Sequence, residues 1–262
     1  MARKNLKLCI DRVIPVHLKH IALQHSIALR EDNRPQFTAA LIRDLKTAPN
    51  PVLRMAIERG KFWSVGQVLK CRFLDGSAKQ KKRVEAIAHE WEQFSTVQLK
   101  FVTTGAADIR ISFKADPGSW SAVGNDALVE EYFKKDAPTM NYGWLADDTD
   151  EAEYRRVVLH EFGHTLGAIH EHQNPAVSLK WDTKAVYKYF SGPPNNWSKA
   201  DIDSNILSRY SKTQTNFTKF DPKSIMLYEF PPELFLDHKG TSGNGELSTT
   251  DKAFMKKTYN KT

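Results

Sequence analysis

Apolar residues recur at helical intervals in "VHLKHIALQHSIALRE" and "QFTAALIRDL", which predicts a helical lead-in over residues 14–60. "EDNRP" and "TAPNP" punctuate it. The period then changes. "VGQVLKCRFLDG" alternates and closes on Asp75-Gly76, the pattern of a strand followed by a turn. "AKQKKRVEAIAHEWEQFS" sets Val84, Ile87, Ala88, Trp91 and Phe94 on one helical face. "VQLKFVTTG" predicts a second strand, and "DIRISFK" a third in which Ile109, Ile111 and Phe113 alternate with polar neighbours. "TMNYGWL" is short and extended; the acidic run "DDTDEAE" then opens a helix over "YRRVVLHEFGHTLG", its carboxylates suited to the positive end of the helix dipole. Beyond Pro175, "TKAVYKYF" and "SKADIDSNILSRY" have helical spacing, the prolines of "PKSIMLYEFPPELF" predict a tight turn, and "LSTTDKAFMKKTY" predicts a last helix with Ser248 or Thr249 as its cap. Strands with one helix, a long helix, then an irregular helical half make an α+β layout.

Composition narrows this only a little. The 262 residues suffice for one large domain or two small ones, and six Trp with fourteen Phe supply a core. Two cysteines, Cys9 and Cys71, are too few for a disulfide scaffold; one bridge or two thiols are both open. The net charge of +7 is uneven: residues 1–110 hold 20 basic and 10 acidic side chains, the remainder 18 and 21. The basic residues are scattered apart from "KQKKR", and no nucleic-acid motif accompanies them, so they read as a solvated face. No run of apolar residues is long enough to span a bilayer, and the start lacks the apolar core of a standard export signal, which leaves localisation open.

Five of the nine histidines sit in no constellation, but "HEFGHTLGAIHEH" (160–172) holds four. On a helix, His160 and His164 lie one turn apart on the same face, the spacing at which two imidazoles bind one metal ion. Gly167 is able to take positive φ, end the helix and return the chain, bringing His170 towards the same point. Three nitrogen ligands leave a tetrahedral zinc ion one open corner, a catalytic rather than a structural arrangement. Glu161 is turned about 100° from His160 and is placed to take a proton from a water at that corner. His172, two residues on, has no metal role in this reading.

"HEFGHTLGAIH" followed by "SIMLY" (224–228) resembles the zinc signature and Met-turn of the metzincin metalloendopeptidases. "HEHQNP" and the tyrosine of "SIMLY" resemble astacin-like enzymes and their bacterial relatives more than matrixins, although the astacin cysteines are missing. The resemblance covers roughly residues 61–262. It implies a twisted mixed sheet with two long helices above an active-site cleft and an irregular helical C-terminal subdomain. It implies one catalytic zinc ion on His160, His164 and His170, Met226 as the structural floor, and Tyr228 as a resting zinc ligand and oxyanion stabiliser. Thr139, Met140, Asn141, Tyr142, Gly143 and Trp144 are then the rim strand to which an extended substrate adds. Cys9 precedes the catalytic body and is a candidate latency ligand for the metal.

The chain is therefore read as a helical extension or pro-segment (1–60), an N-terminal catalytic subdomain (61–171) and a C-terminal subdomain (172–262). The function is that of a zinc endopeptidase acting on protein or peptide substrates. A monomer is expected, with no nucleic-acid or membrane partner. Calcium is not supported, because helix-start chemistry explains residues 147–153. The competing readings are a zinc-holding protein that no longer cleaves and a hydrolase of non-peptide amides.

Overall fold

The computed structural model describes residues 9–10, 12–34, 60–116, 118–193, 195–209 and 218–261. Strands β1 (Val68–Phe73), β2 (Gln98–Phe101), β3 (Ile109–Ser112), β4 (Trp120–Ser121) and β5 (Met140–Asn141) form one sheet in the order β2-β1-β3-β5-β4. All neighbours are parallel except β4, which runs antiparallel to β5. The register sets Leu69 opposite Leu99, Cys71 opposite Ile109, and Ile111 opposite Met140. All six are buried, five of them apolar side chains and the sixth, Cys71, a thiol. The α+β mixed sheet expected from the sequence is thus present.

Two helices carry the sheet's apolar load. Helix α2 (Ala78–Ala88, the second of the described helices) starts at a capping box between Ser77 and Gln80, which supplies side-chain acceptors to two backbone N–H groups the helix cannot satisfy itself. Its predicted face is the buried one: Val84, Ile87 and Ala88 continue into Trp91, whose indole N–H donates to Leu159 O at 3.0 Å on helix α3 (Glu151–Thr165). Preceding α2 in the chain, α1 (Lys19–Leu29) lies inside the expected helical lead-in, whereas "QFTAALIRDL" falls outside the described residues. Helix α1 rests against the turn Gly124–Leu128 and is tied to the body by polar bonds. Asn33 donates to Phe62 O (2.8 Å), Arg30 to Thr258 O (2.9 Å) and Ser64 to Leu29 O (2.6 Å).

Two expectations are corrected here. Alternation predicted a polar outer face for "DIRISFK", but all four residues of β3 are buried. Arg110 stays inside because its guanidinium donates to the carbonyls of Ala137 (2.7 Å), Phe133 (3.0 Å) and Ala107 (3.2 Å), so a charged side chain serves as a loop clamp. The second concerns the rim. Residues 139–144 are not at the sheet's open edge: β5 pairs with β3 on one side and β4 on the other. Asn141 is buried, accepting from Ser112 Oγ (2.6 Å) and Lys114 N (2.9 Å), and a Cβ on Gly143 would lie 2.5 Å from the Gly118 backbone. The edge is β4. A two-residue strand shows no alternation from which its place can be read.

The C-terminal half has its own core. Val186, Tyr189 and Phe190 on α4 (Thr183–Phe190) pack with Ile202 on α5 (Lys199–Ile202), with Ile206, and with Tyr228, Phe230, Leu234 and Phe235. The last helix, α6 (Thr249–Thr258), begins at the capping box of Ser248 and Asp251, as expected.

Candidate metal centre and active site

Helix α3 begins where the acidic run ends. Asp150 caps it by accepting from Glu153 N (2.8 Å), Glu151 pairs with Arg83 (2.8 Å) and Glu153 with Arg156 (2.8 Å). Its C-terminus is a Schellman closure: Ala168 N donates to Gly163 O (2.9 Å) and Gly167 N to His164 O (2.8 Å), with Gly167 at φ +88°. That turn delivers His170 to the pair on the helix. The Nε2 of His164 lies 3.2 Å from that of His160 and 3.0 Å from that of His170.

The tautomers follow from the other ring nitrogen. His160 Nδ1 faces Ile225 O at 2.8 Å and His164 Nδ1 faces Ala168 O at 2.9 Å, so both are N–H donors there and carry a lone pair on Nε2. Burial, followed by the neighbouring imidazoles, pushes the pKa of His160 well down. Burial, followed by His172, does the same to His170. Neutral imidazoles with converging lone pairs repel one another unless they share a cation. Ligands about 2.0–2.1 Å from a tetrahedral zinc ion stand roughly 3.3–3.4 Å apart, close to the spacing found. The donor set fits zinc.

Glu161 is fully buried beside this point. The Sγ of Cys9 joins it: the ligand atoms of Cys9, His160 and Glu161 all lie within 4.8 Å of one another. Burial pushes the Cys9 thiol pKa well up, and the charge of Glu161 and a hydrogen bond to its carboxylate push it further. Cys71 is a free thiol on β1, so the two cysteines form no bridge. Tyr228 completes the group. Its hydroxyl donates to Cys9 O (2.6 Å) and contacts His170 Nε2.

Beneath the histidines runs the turn Ser224–Tyr228. Met226 is buried, and a Cβ on Gly163 of α3 would meet its Sδ at 2.5 Å. Glu171 N donates to Met226 O at 2.9 Å, so the segment after His170 is pinned to this turn. Asp251 of α6 pins it from behind, accepting from Ser224 Oγ (2.7 Å), Ile225 N (2.8 Å) and Ser248 N (2.9 Å). Neither Gly163 nor Asp251 was singled out from the sequence. The capping pattern S-T-T-D was the only available signal for Asp251, and it points to a helix start rather than to a metal centre. His172 is buried against Tyr228, ring centroids 5.1 Å apart, with Nε2 donating to Asn205 O (2.9 Å).

Comparison with known proteins agrees with this geometry. The family model described as Matrixin matches residues 67–204. The chain is similar to the structure of myroilysin, with 38% identity and a TM-score of 0.74 over 77% of this chain and 97% of that one. A second myroilysin crystal structure matches with 38% identity and a TM-score of 0.60, over 76% and 86% of the two chains. The hatching enzyme HCE-1, a zinc-protease of the medaka fish Oryzias latipes, shares the fold at 15% identity and a TM-score of 0.50, over 76% of this chain and 94% of that one. A search of curated protein sequences finds no match. With the matrixin signature spanning more than half of its length, the chain belongs to the matrixin family of metzincin zinc metalloendopeptidases.

Proposed function

We propose that His160, His164 and His170 hold a single catalytic zinc ion, that Glu161 is the general base, and that residues 1–60 are a pro-segment which keeps the enzyme latent. The observation that carries this reading is the convergence of three Nε2 atoms beside a buried carboxylate. Zinc in that position supplies Lewis acidity, polarising a carbonyl and lowering the pKa of a water to roughly 7. Glu161 takes that water's proton on its carboxylate and later gives it to the departing amine nitrogen. Tyr228 already donates to one main-chain carbonyl, that of Cys9, and donates in the same way to the oxyanion of a substrate. At rest its hydroxyl lies near enough to His170 Nε2 to be a further metal ligand. Met226 serves as the floor that fixes the height of the histidines.

The substrate is a polypeptide lying extended between subdomains 61–171 and 172–262. Its backbone adds to the edge strand β4, with residues 139–144 as the layer behind. Cys9 acts as the latency ligand: its sulfur stands beside His160 and Glu161, and its carbonyl occupies Tyr228. The chain works as a monomer, without calcium and without nucleic-acid or membrane partners. No helix among the described residues is long and apolar enough to cross a membrane.

A quenched-fluorescent peptide library tests this, using the full chain and its Cys9→Ser variant. Cleavage that a chelator abolishes and zinc restores is expected. No cleavage of any peptide, with zinc bound, contradicts the endopeptidase reading; hydrolysis confined to small non-peptide amides reassigns the substrate.

A further inference from the structure

Apart from its thiol, the latency segment contacts the edge strand β4 and the residue that leads into it. Ile10 N donates to Ser119 O at 3.0 Å, a main-chain bond of the kind by which a new strand joins a sheet. Two residues on, the guanidinium carbon of Arg12 lies 4.6 Å from the centroid of the Trp120 ring. Trp120 belongs to β4, on the open edge, and is only 5% exposed with the segment in place. Its aromatic neighbour within the body is Phe133, with planes 21° apart and centroids separated by 6.2 Å. The indole is therefore backed by Phe133 and covered by a cation that the chain itself supplies.

We propose that the Trp120 indole is a subsite for a cationic side chain of the polypeptide substrate, arginine above all, about three residues from the scissile bond. Arg12 fills it in the latent chain as an internal ligand. The inference rests on the peptidase reading of the histidine centre and adds to it a position-specific preference. Trp is the ring that attracts a cation most strongly, and the attraction grows when the cation is taken out of water. A guanidinium also stacks flat on the ring, which an ammonium does not. The Cys9 sulfur lies beside His160 and Glu161, and Arg12, three residues later, lies over Trp120, so a substrate chain following the same path carries a side chain to the same place. The segment runs alongside β4 in the same direction, with Ile10 by Ser119, Arg12 by Trp120 and α1 by Gly124–Leu128. A substrate lying in either direction passes the ring.

The test uses the full chain carrying Cys9→Ser and Arg12→Ala, which removes the thiol and empties the subsite. It is offered peptides with arginine, citrulline, alanine or glutamate at each position near the scissile bond. Citrulline keeps the shape of arginine and lacks its charge. At one position, arginine is expected to exceed citrulline about fivefold in kcat/KM, in line with a partly desolvated cation over an indole. Adding Trp120→Leu should bring the ratio to one, and Trp120→Phe, which fills the space better, should leave part of it. A ratio within about twofold of one at every position, or a ratio that survives Trp120→Leu and Trp120→Phe alike, overturns the proposal. If no peptide is cleaved, the peptidase reading fails, and the subsite is read in the parent chain from the rate at which Cys9 reacts with iodoacetamide. Arg12→Gln should then react about fivefold faster than the parent and Arg12→Lys at a rate between the two, since an ammonium keeps the charge and loses the flat stacking; equal rates for parent and Arg12→Gln overturn it.

Discussion

Gly163 lies within the last turn of helix α3, where alanine is ordinarily preferred by up to about 1 kcal/mol. Here a methyl group would stand 2.5 Å from Met226 Sδ and 3.4 Å from Trp91 Cζ2, both buried. Forcing one extra methyl into a filled core costs about 1–3 kcal/mol. Gly163→Ala should therefore destabilise the protein by about 1 kcal/mol net, the reverse of the helix-propensity expectation. Met226→Ala alone empties the same space and should cost about 3 kcal/mol. In the double variant the clash is gone, the helix preference is recovered and the new methyl fills part of the hole. Its loss should fall short of the sum of the two single losses by at least about 1.5 kcal/mol. Urea unfolding midpoints at one fixed zinc concentration measure all three, because bound metal shifts apparent stability. Additivity within about 0.5 kcal/mol would mean that Gly163 is not there to admit the methionine, and the proposed floor beneath the histidines would lose its physical basis.

Cys9→Ser should raise the zinc-dependent activity of the full chain, since serine is a far weaker metal ligand than a thiolate; unchanged activity refutes the latency role. Asp251→Ala leaves Ser224 Oγ, Ile225 N and Ser248 N without their acceptor. A loss of about 2–3 kcal/mol is expected, with faster zinc release to a chelator because Ile225 O orients His160; parent-like release contradicts the linkage. Burial raises the pKa of Glu171 to about 7. The folded protein then binds a proton that the unfolded chain has already lost, so this group's contribution is complete below its ordinary pKa near 4.5 and disappears as pH rises towards 7. Glu171→Gln should flatten that part of the stability–pH curve, and an unaltered slope would rule the group out.

The convergence of the three histidines was the most legible part of the chain. Helical spacing places His160 and His164 on one face whatever the tertiary surroundings, and Gly167 does adopt the positive φ that turns His170 back. The face of α2 was equally readable, because one amphipathic surface meets one core. Legibility failed where partners are distant in sequence. Arg110 looks like a surface position until the carbonyls of residues 107, 133 and 137 surround it. The order of β4 and β5 is set by pairing across two-residue strands and by the loop that Asn141 holds, and neither leaves a periodic trace. Gly163 and Asp251 contact the turn Ser224–Tyr228 from positions whose local patterns indicate only the end of one helix and the cap of another. The contact of Arg12 with Trp120 joins residues more than a hundred positions apart.

Glu161→Gln tests the central claim most directly, with zinc content and peptide cleavage measured on the same sample. The amide keeps the size of the side chain and removes the base, while His160, His164 and His170 are untouched. One zinc ion per chain together with loss of cleavage is the outcome required by a three-histidine site with Glu161 as base. Full cleavage by the zinc-loaded variant, or an inability to hold zinc without the carboxylate, would contradict it.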